Sequence, residues 1–577
     1  MFVTKIRILS ACAATFYSFS LTKIIMINAN GKVTEKVVLV WVDGATFDVI
    51  APLLKKELPT FRRIMREGVN GTLISTIPPC TPPAWASLVT GVNPGKHGVY
   101  DFWDRKGDKP VPVTSYSIHR ETLWSMLNEV GKKVILLNAP MTYPPRRLKG
   151  ILVTGFMTPS NVPYTYPPNF KGQLLREFPD YLIDPRTCPP PLGPASDEHI
   201  SCLEESFNLL RKRREVTLYL MENFDWDLLI SVFHCTDSIQ HYFWKYMDPT
   251  HPAYDPDAPK TLKEAIPKAY KIVDNSIREI LKAIDEDTTL IVMSDHGFGP
   301  IHKCVFLNNY LRTLDLLSIS MEGVMMPIVI DRFLKFLKTQ LPHVSKFILG
   351  AAKTIFHRIR ATVENMPSLR FSDFIDWTQT KAYSLSALGD LSVNRSVVKS
   401  SQEYEELIEY LIQKLFELAD PEDNEKIVDN VFRKQQIYSG RYLEKAPDLF
   451  LVIRKMQYMT TSSFVGNQIV GPSPGYSGSH RMEGILFMYG KNLRRGQTLR
   501  SCNIRDLMPT ILYMLSVRFP SDIDGKVLLE AFQPSYVKTH LVEAKEKART
   551  IKAQKRYALS ESDEQRIKER LKALGYL

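Results

Sequence analysis

Cysteine is scarce in this sequence. Its seven cysteines, Cys12, Cys80, Cys188, Cys202, Cys235, Cys304 and Cys502, are scattered and odd in number. They have neither metal-ligand spacing nor the density of a disulfide scaffold, which points to a reducing, cytoplasmic setting. No zinc finger, basic zipper or aromatic-rich RNA-binding motif is present, so a nucleic-acid polymer is not an expected partner. Internal repeats and low-complexity tracts are also missing. The apolar run from Ile8 to Leu21 carries Ser10, Thr15, Ser18 and Ser20, too short and polar to span a bilayer. With Lys5 and Arg7 before it, the run has the outline of a weak signal peptide, but Ser18-Phe19-Ser20 is a poor cleavage site. Residues 1–34 are therefore read as an extension, with secretion the minority alternative.

What is present belongs to a large soluble protein: 577 residues, 44% hydrophobic and 24% charged, too long for one ordinary core. The net charge of +12 favours anionic partners, a phosphorylated small molecule or a membrane surface. Lys36–Val42 (KVVLVWV) is a continuous β-branched run, the pattern of a strand buried on both faces. A helix is expected at Pro59–Glu67, then a turn-rich segment to Cys80. Further strands are expected at Lys133–Leu137, Ile151–Thr154, Leu228–Val232, Thr289–Met293 and Leu449–Ile453, with helices at Ser201–Asn223 and Thr261–Ala283. That alternation predicts an α/β fold with a mainly parallel sheet flanked by helices.

Several strand ends carry polar groups suited to chemistry. In open α/β sheets ligands bind at the carboxyl ends of strands, and there stand Asp43-Gly44 and Ser294-Asp295-His296-Gly297. An Asp-Gly pair alone is an ordinary turn, but two strand-end carboxylates, one beside an imidazole, point to a metal site. Asp237 and His241, at i and i+4 just past another strand, project from one helix face, the spacing of a chelating pair. His480, in a Gly- and Ser-rich loop, is the third ligand that pair lacks, and His234 is read as a packing or supporting residue. Thr81 is expected to be the N-cap of a helix, with Pro82 first inside and Gly91 ending it. A hydroxyl there sees the positive end of the helix dipole, which favours its alkoxide and a bound phosphate.

These motifs resemble the type I phosphodiesterase/nucleotide pyrophosphatase branch of the alkaline phosphatase superfamily, and within it prokaryotic predicted phosphohydrolases or phosphomutases. The likeness rests on VDG at 42–44, TPPAW at 81–85, TGVNPGKHGVYDF at 90–102, D-x-x-x-H at 237–241, SDHG at 294–297, APDL at 446–449, His480, DLMPT at 506–510 and DIDG at 522–525. It implies an alkaline-phosphatase-like fold and two divalent metal ions, zinc, with manganese or magnesium as alternatives. One would be held by Asp43, Thr81, Asp295 and His296, the other by Asp237, His241 and His480. Thr81 would be the nucleophile, forming a phosphothreonine.

The sequence also departs from the family. Nucleotide pyrophosphatases hold phosphate with the N–H of the residue after the nucleophile and with an Asn after a His-Gly pair. Here those positions are Pro82, which has no N–H, and Phe102, so Lys96 or His97 is expected to orient the phosphate. A sulfatase is excluded because Ala84 stands where the C-x-P-x-R signature needs arginine. The remaining alternatives are a metal-dependent phosphoglycerate-mutase-like enzyme and a non-catalytic, membrane-associated binding protein. The expected organisation is an extension (1–34), a catalytic domain in two parts (35–315 and 373–540), a helical insertion (316–372) and a charged helical tail (541–577). Within the insertion, the basic amphipathic stretch Val329–Arg360 is expected to cap the site, with membrane contact to a lipid-like substrate the alternative. Ser562 and Gln565 are expected to cap the last helix as a capping box, and its apolar stripe Ile567, Leu571 and Leu574 predicts that it docks on the body.

Overall fold

A computed structural model describes residues 35–106, 109–159, 161–185, 196–320, 375–463, 467–473, 475–540 and 559–573. The extension, residues 321–372 of the expected insertion and most of the tail lie outside the described residues. Strand β1 (Lys36–Val42) has six of its seven residues buried, as a β-branched run covered on both faces must be. It lies inside a nine-stranded sheet whose other members, in chain order, are β2 (Val69–Ile74), β3 (Val134–Ala139), β4 (Gly150–Thr154), β5 (Thr165–Tyr166), β6 (Leu228–Phe233), β7 (Thr288–Met293), β8 (Glu483–Tyr489) and β9 (Gln497–Asn503). The spatial order is β9-β2-β8-β7-β1-β6-β3-β4-β5.

Strands β7, β1, β6, β3 and β4 are mutually parallel, while β8 runs against both β7 and β2. The α/β class and the mainly parallel sheet are as expected. Two details differ. The segment before Cys80, expected to be turn-rich, contains β2, and Leu449–Ile453 is not in this sheet. It belongs to a separate four-stranded antiparallel sheet with Ala382–Tyr383, Asp390–Val393 and Val428–Arg433. That sheet and the helix Ser401–Glu417 build a second apolar cluster around Leu411, Leu415, Ile427 and Leu449.

The main core receives Ile567 and Leu571 of the last helix, Glu561–Ala573. Its cap is Ser560, whose Oγ accepts from the Asp563 N–H at 3.1 Å, not Ser562 as expected. Cys202 is disulfide-bonded, although the cysteine pattern suggested no such bond, whereas Cys80, Cys235, Cys304 and Cys502 are buried thiols outside any disulfide. Among the described residues, no helix is long and apolar enough to cross a membrane.

Candidate active site

The carboxyl ends of three adjacent parallel strands, β7, β1 and β6, converge. Asp43 follows β1 directly, and Asp295 and His296 follow β7 after one serine. Past β6 the chain enters the helix Cys235–Met247, which carries Asp237 in its first turn and His241 one turn later. Gly44 turns the chain after Asp43 at φ +66°, where a Cβ would lie 2.8 Å from Phe298, so both conformation and space require glycine. His480 arrives from far along the chain. Gly478–Arg481 pairs antiparallel with Gly297–Pro300, which sets His480 opposite Phe298. A Cβ on Gly478 would stand 2.6 Å from the Gln240 carbonyl, and this close approach seats the His480 strand against the Asp237 helix.

The donor atoms form two neighbouring sets. In one, Asp237 Oδ1 is 3.3 Å from His480 Nε2, Asp237 Oδ2 is 3.5 Å from His241 Nε2, and the two Nε2 atoms are 3.1 Å apart. In the other, His296 Nε2 is 3.3 Å from Asp295 Oδ2, 3.6 Å from Asp43 Oδ1 and 3.4 Å from Thr81 Oγ1. Ligands held about 2.1 Å from a tetrahedral ion stand about 3.4 Å from one another, and both sets have that spacing. His296 also stacks on His480 with ring centroids 3.7 Å apart, and its ligand atom is in reach of the Asp237 set as well.

Hydrogen bonding fixes the imidazoles in the form a metal needs. His241 Nδ1 faces the Gly478 carbonyl at 2.8 Å, His480 Nδ1 the Pro79 carbonyl at 2.8 Å, and His296 Nδ1 the Gly297 carbonyl at 3.0 Å. A carbonyl only accepts, so in each neutral ring Nδ1 carries the proton and Nε2 keeps its lone pair. No hydrogen then stands between His241 and His480, and their lone pairs repel without a cation. Meanwhile Asp43 Oδ1, Asp237 Oδ1 and Asp295 Oδ2 are buried without hydrogen-bond partners. Among the described residues no lysine or arginine pairs with these three carboxylates. Uncompensated buried charge of this kind is costly, and the donor set fits divalent cations.

Titration follows the same crowding. Burial, then Asp295 and Asp237, push the Asp43 carboxyl well above its ordinary range. Burial opposes ionisation of Asp237 too, but His241 and His480 outweigh it and hold that carboxyl low. Burial pushes His241 down to about 4 and also lowers His296, which keeps both rings neutral and able to ligate.

Thr81 is buried at the start of the helix Thr81–Thr90. The cap is Cys80, one residue earlier than expected, and Thr81 is the first helical residue. Pro82 and Pro83 follow, so neither of the next two positions offers an N–H to an anion. The dipole remains, but the cradle of amides is reduced to that of Thr81.

The sequence matches the type I phosphodiesterase / nucleotide pyrophosphatase family over residues 37–355, more than half of the chain. The chain belongs to this family. No curated protein matches it. Solved structures similar to it include human ectonucleotide pyrophosphatase/phosphodiesterase 5, at 15% identity and TM-score 0.45, covering 88% of this chain and 100% of that one. Its murine counterpart has 14% identity and TM-score 0.48, with the same coverage. Phosphonoacetate hydrolase from Sinorhizobium meliloti in complex with phosphonoacetate has 13% identity and TM-score 0.48, covering 85% and 98%.

In this family member, two expected phosphate contacts are engaged elsewhere. His97 is fully buried, with Nε2 2.9 Å from Ser87 Oγ and Nδ1 accepting from the Val99 N–H at 3.2 Å. Lys96 Nζ pairs with Asp524 and donates to the Asp522 carbonyl at 3.1 Å. Both lock the Asn93–Gly98 loop in place, and the structure does not bring either to the ligand cluster. His234 does have the supporting place expected of it, with Nδ1 2.7 Å from Asp43 Oδ2. The sequence reading missed Trp41, whose indole donates to Asp295 Oδ1 at 3.0 Å. It also missed Gln240, which donates to the Gly44 carbonyl at 2.9 Å and is itself held by Tyr270. A tryptophan in a buried strand needs a partner for its N–H, which was the available signal.

Proposed function

We propose that the chain is a two-metal phosphohydrolase acting on phosphodiesters, with Thr81 as nucleophile. One observation carries the reading: two sets of buried, uncompensated ligand atoms flank a hydroxyl at a helix start. Asp43, Thr81, Asp295 and His296 would hold one divalent cation, and Asp237, His241 and His480 the other, zinc being the ion these N and O donors suit best. When bound, such ions lower the pKa of a hydroxyl and neutralise charge on a phosphoryl group.

The chain's own residues do the rest. The Thr81 helix presents Oγ at its positive end, and Oγ attacks phosphorus in line as the P–O bond to the leaving alcohol breaks. The hydroxyl proton is lost and the alcohol departs protonated. The product is a phosphothreonine that still carries the second ester group when the substrate is a diester. Water then cleaves the Oγ–P bond, releasing a monoester and restoring the threonine proton. That no lysine or arginine among the described residues pairs with the cluster, and that two prolines follow Thr81, favours a singly charged diester over a dianionic monoester. A small phosphorylated or lipid-like diester fits that chemistry. The test is turnover of bis-p-nitrophenyl phosphate against p-nitrophenyl phosphate by the zinc-loaded protein. Failure to turn over either ester, with both metals bound, would overturn the reading.

A further inference from the structure

His234 is the last residue before the helix that carries Asp237 and His241, and it reaches back to the other ligand set. Its Nδ1 stands 2.7 Å from Asp43 Oδ2, and its ring lies flat on Phe156, centroids 4.5 Å apart at 25°. Phe156 is braced edge-on by Phe102 at 5.9 Å. The same junction holds the Asp43 backbone: its N–H donates to the Phe233 carbonyl at 3.2 Å, and its carbonyl accepts from Thr236 Oγ1 at 2.7 Å. The carboxylate is therefore divided. Oδ2 is occupied by His234, and Oδ1, buried and without a hydrogen-bond partner, lies 3.6 Å from His296 Nε2.

We infer that His234 is a positioning residue: its Nδ1–H fixes the rotation of the Asp43 carboxylate so that Oδ1 serves the first cation. A carboxylate without that partner turns freely about its last bond and must be ordered at the moment of binding. Partners that orient a ligand in this way are worth about 10–100-fold in metal affinity. Since His234 belongs to the β6–helix junction, it also ties the placement of Asp43 to that of Asp237 and His241. This rests on the two-cation reading above.

The bland alternative is that His234 merely fills space against Phe156, and two substitutions separate the roles. His234→Phe keeps a ring for the stack and removes the donor. His234→Asn removes the ring and keeps a donor where Nδ1 stood. The apo proteins are titrated with Zn2+ against a competing chelator, and their melting temperatures are recorded without metal. The expected result is two equivalents in the wild type, with H234F weakened about 10–100-fold for one equivalent only. H234N, though less stable without metal, should bind nearly as tightly as the wild type. Wild-type affinities in H234F, or equal losses in H234F and H234N, would overturn the assignment. A wild-type chain that takes up fewer than two equivalents would remove the two-cation reading itself and this assignment with it.

Discussion

Replacing Thr81 by alanine removes the oxygen proposed to attack phosphorus and little else. The side chain is 2% exposed, so the change deletes one buried methyl equivalent, about 1 kcal/mol. It also deletes a long 3.4 Å contact to His296, worth at most about 1 kcal/mol. Alanine is well tolerated in the first turn of a helix. A loss of about 2 kcal/mol leaves a body of this size folded and shifts its melting by a few degrees at most. Turnover of bis-p-nitrophenyl phosphate should fall by about a thousandfold or more, about 4 kcal/mol of barrier. Thr81→Ser is the control. It keeps the hydroxyl but frees its χ1, since the β-branch that restricts the rotamer is gone, and reordering one rotor costs about 1 kcal/mol. T81S should therefore stay within about tenfold of wild type. Metal content measured on the same samples separates loss of nucleophile from loss of cation. Near-wild-type turnover by fully loaded T81A, or T81S as inert as T81A, would refute the assignment of Thr81.

Elemental analysis should find two metal equivalents per chain, removable by chelation with reversible loss of activity. His480→Ala and Asp295→Ala should each lower one equivalent, whereas His296→Ala should lower both, because its Nε2 reaches both sets. Diester turnover should exceed monoester turnover, read as the kcat/KM ratio of the two nitrophenyl esters, and a reversed ratio would mean an unrecognised cation at the site. His97 should make the fold acid-sensitive. Burial, with His119 and Arg120 nearby, pushes it down to about 3 from an ordinary 6.5, so the folded state keeps it neutral while the unfolded chain takes up a proton. The stability it contributes is complete above pH 6.5 and lost as pH falls towards 3, at up to about 1.4 kcal/mol per pH unit. Urea unfolding at pH 6.5 and pH 4.5 should show a loss about 2 kcal/mol smaller in His97→Gln than in wild type, and equal losses would contradict this.

How much of this was legible in the sequence depends on how each residue is placed. Asp43, Asp295 and His296 could be read directly, because β-branched runs end at them and strand ends in such sheets converge. Asp237 and His241 could be read from helical spacing alone. His480 could be named only as the ligand the pair lacked. Its place depends on an antiparallel pairing between Gly478–Arg481 and Gly297–Pro300, formed by segments 181 residues apart, and no local pattern encodes it. Strand β2, with the sequence VNGTLI, is too polar and Gly-interrupted to register as a strand, yet it pairs on both sides along the sheet. For Leu449–Ile453 the pattern gave a strand correctly but could not say which sheet it joins, since apolar periodicity reports burial and not the partner. The contacts of His97 and Lys96 were hidden for a related reason. A basic pair in a glycine-rich loop looks available, and only the fold reveals that Ser87 and Asp524 already hold it.

The matched family segment ends at residue 355 and so excludes His480, which completes the second ligand set. The strand that delivers His480 leads directly into β8, which pairs with β7, and β7 delivers Asp295 and His296. Segments 297–300 and 478–481, far apart along the chain, thus pair at the cluster, beside a sheet that contains β1, β7 and β8. Of the positions expected to contact phosphate, few are placed to offer a donor. Pro82 and Pro83 carry no N–H, Phe102 is buried against Phe156, and Lys96 is committed to Asp524. Three carboxylates and three imidazole lone pairs then face one another, and among the described residues no lysine or arginine pairs with them. The cations that fit this donor set would carry nearly all the charge stabilisation of the phosphoryl group, which makes the exact rotation of each ligand, Asp43 included, matter more than in a site that shares the load with amides.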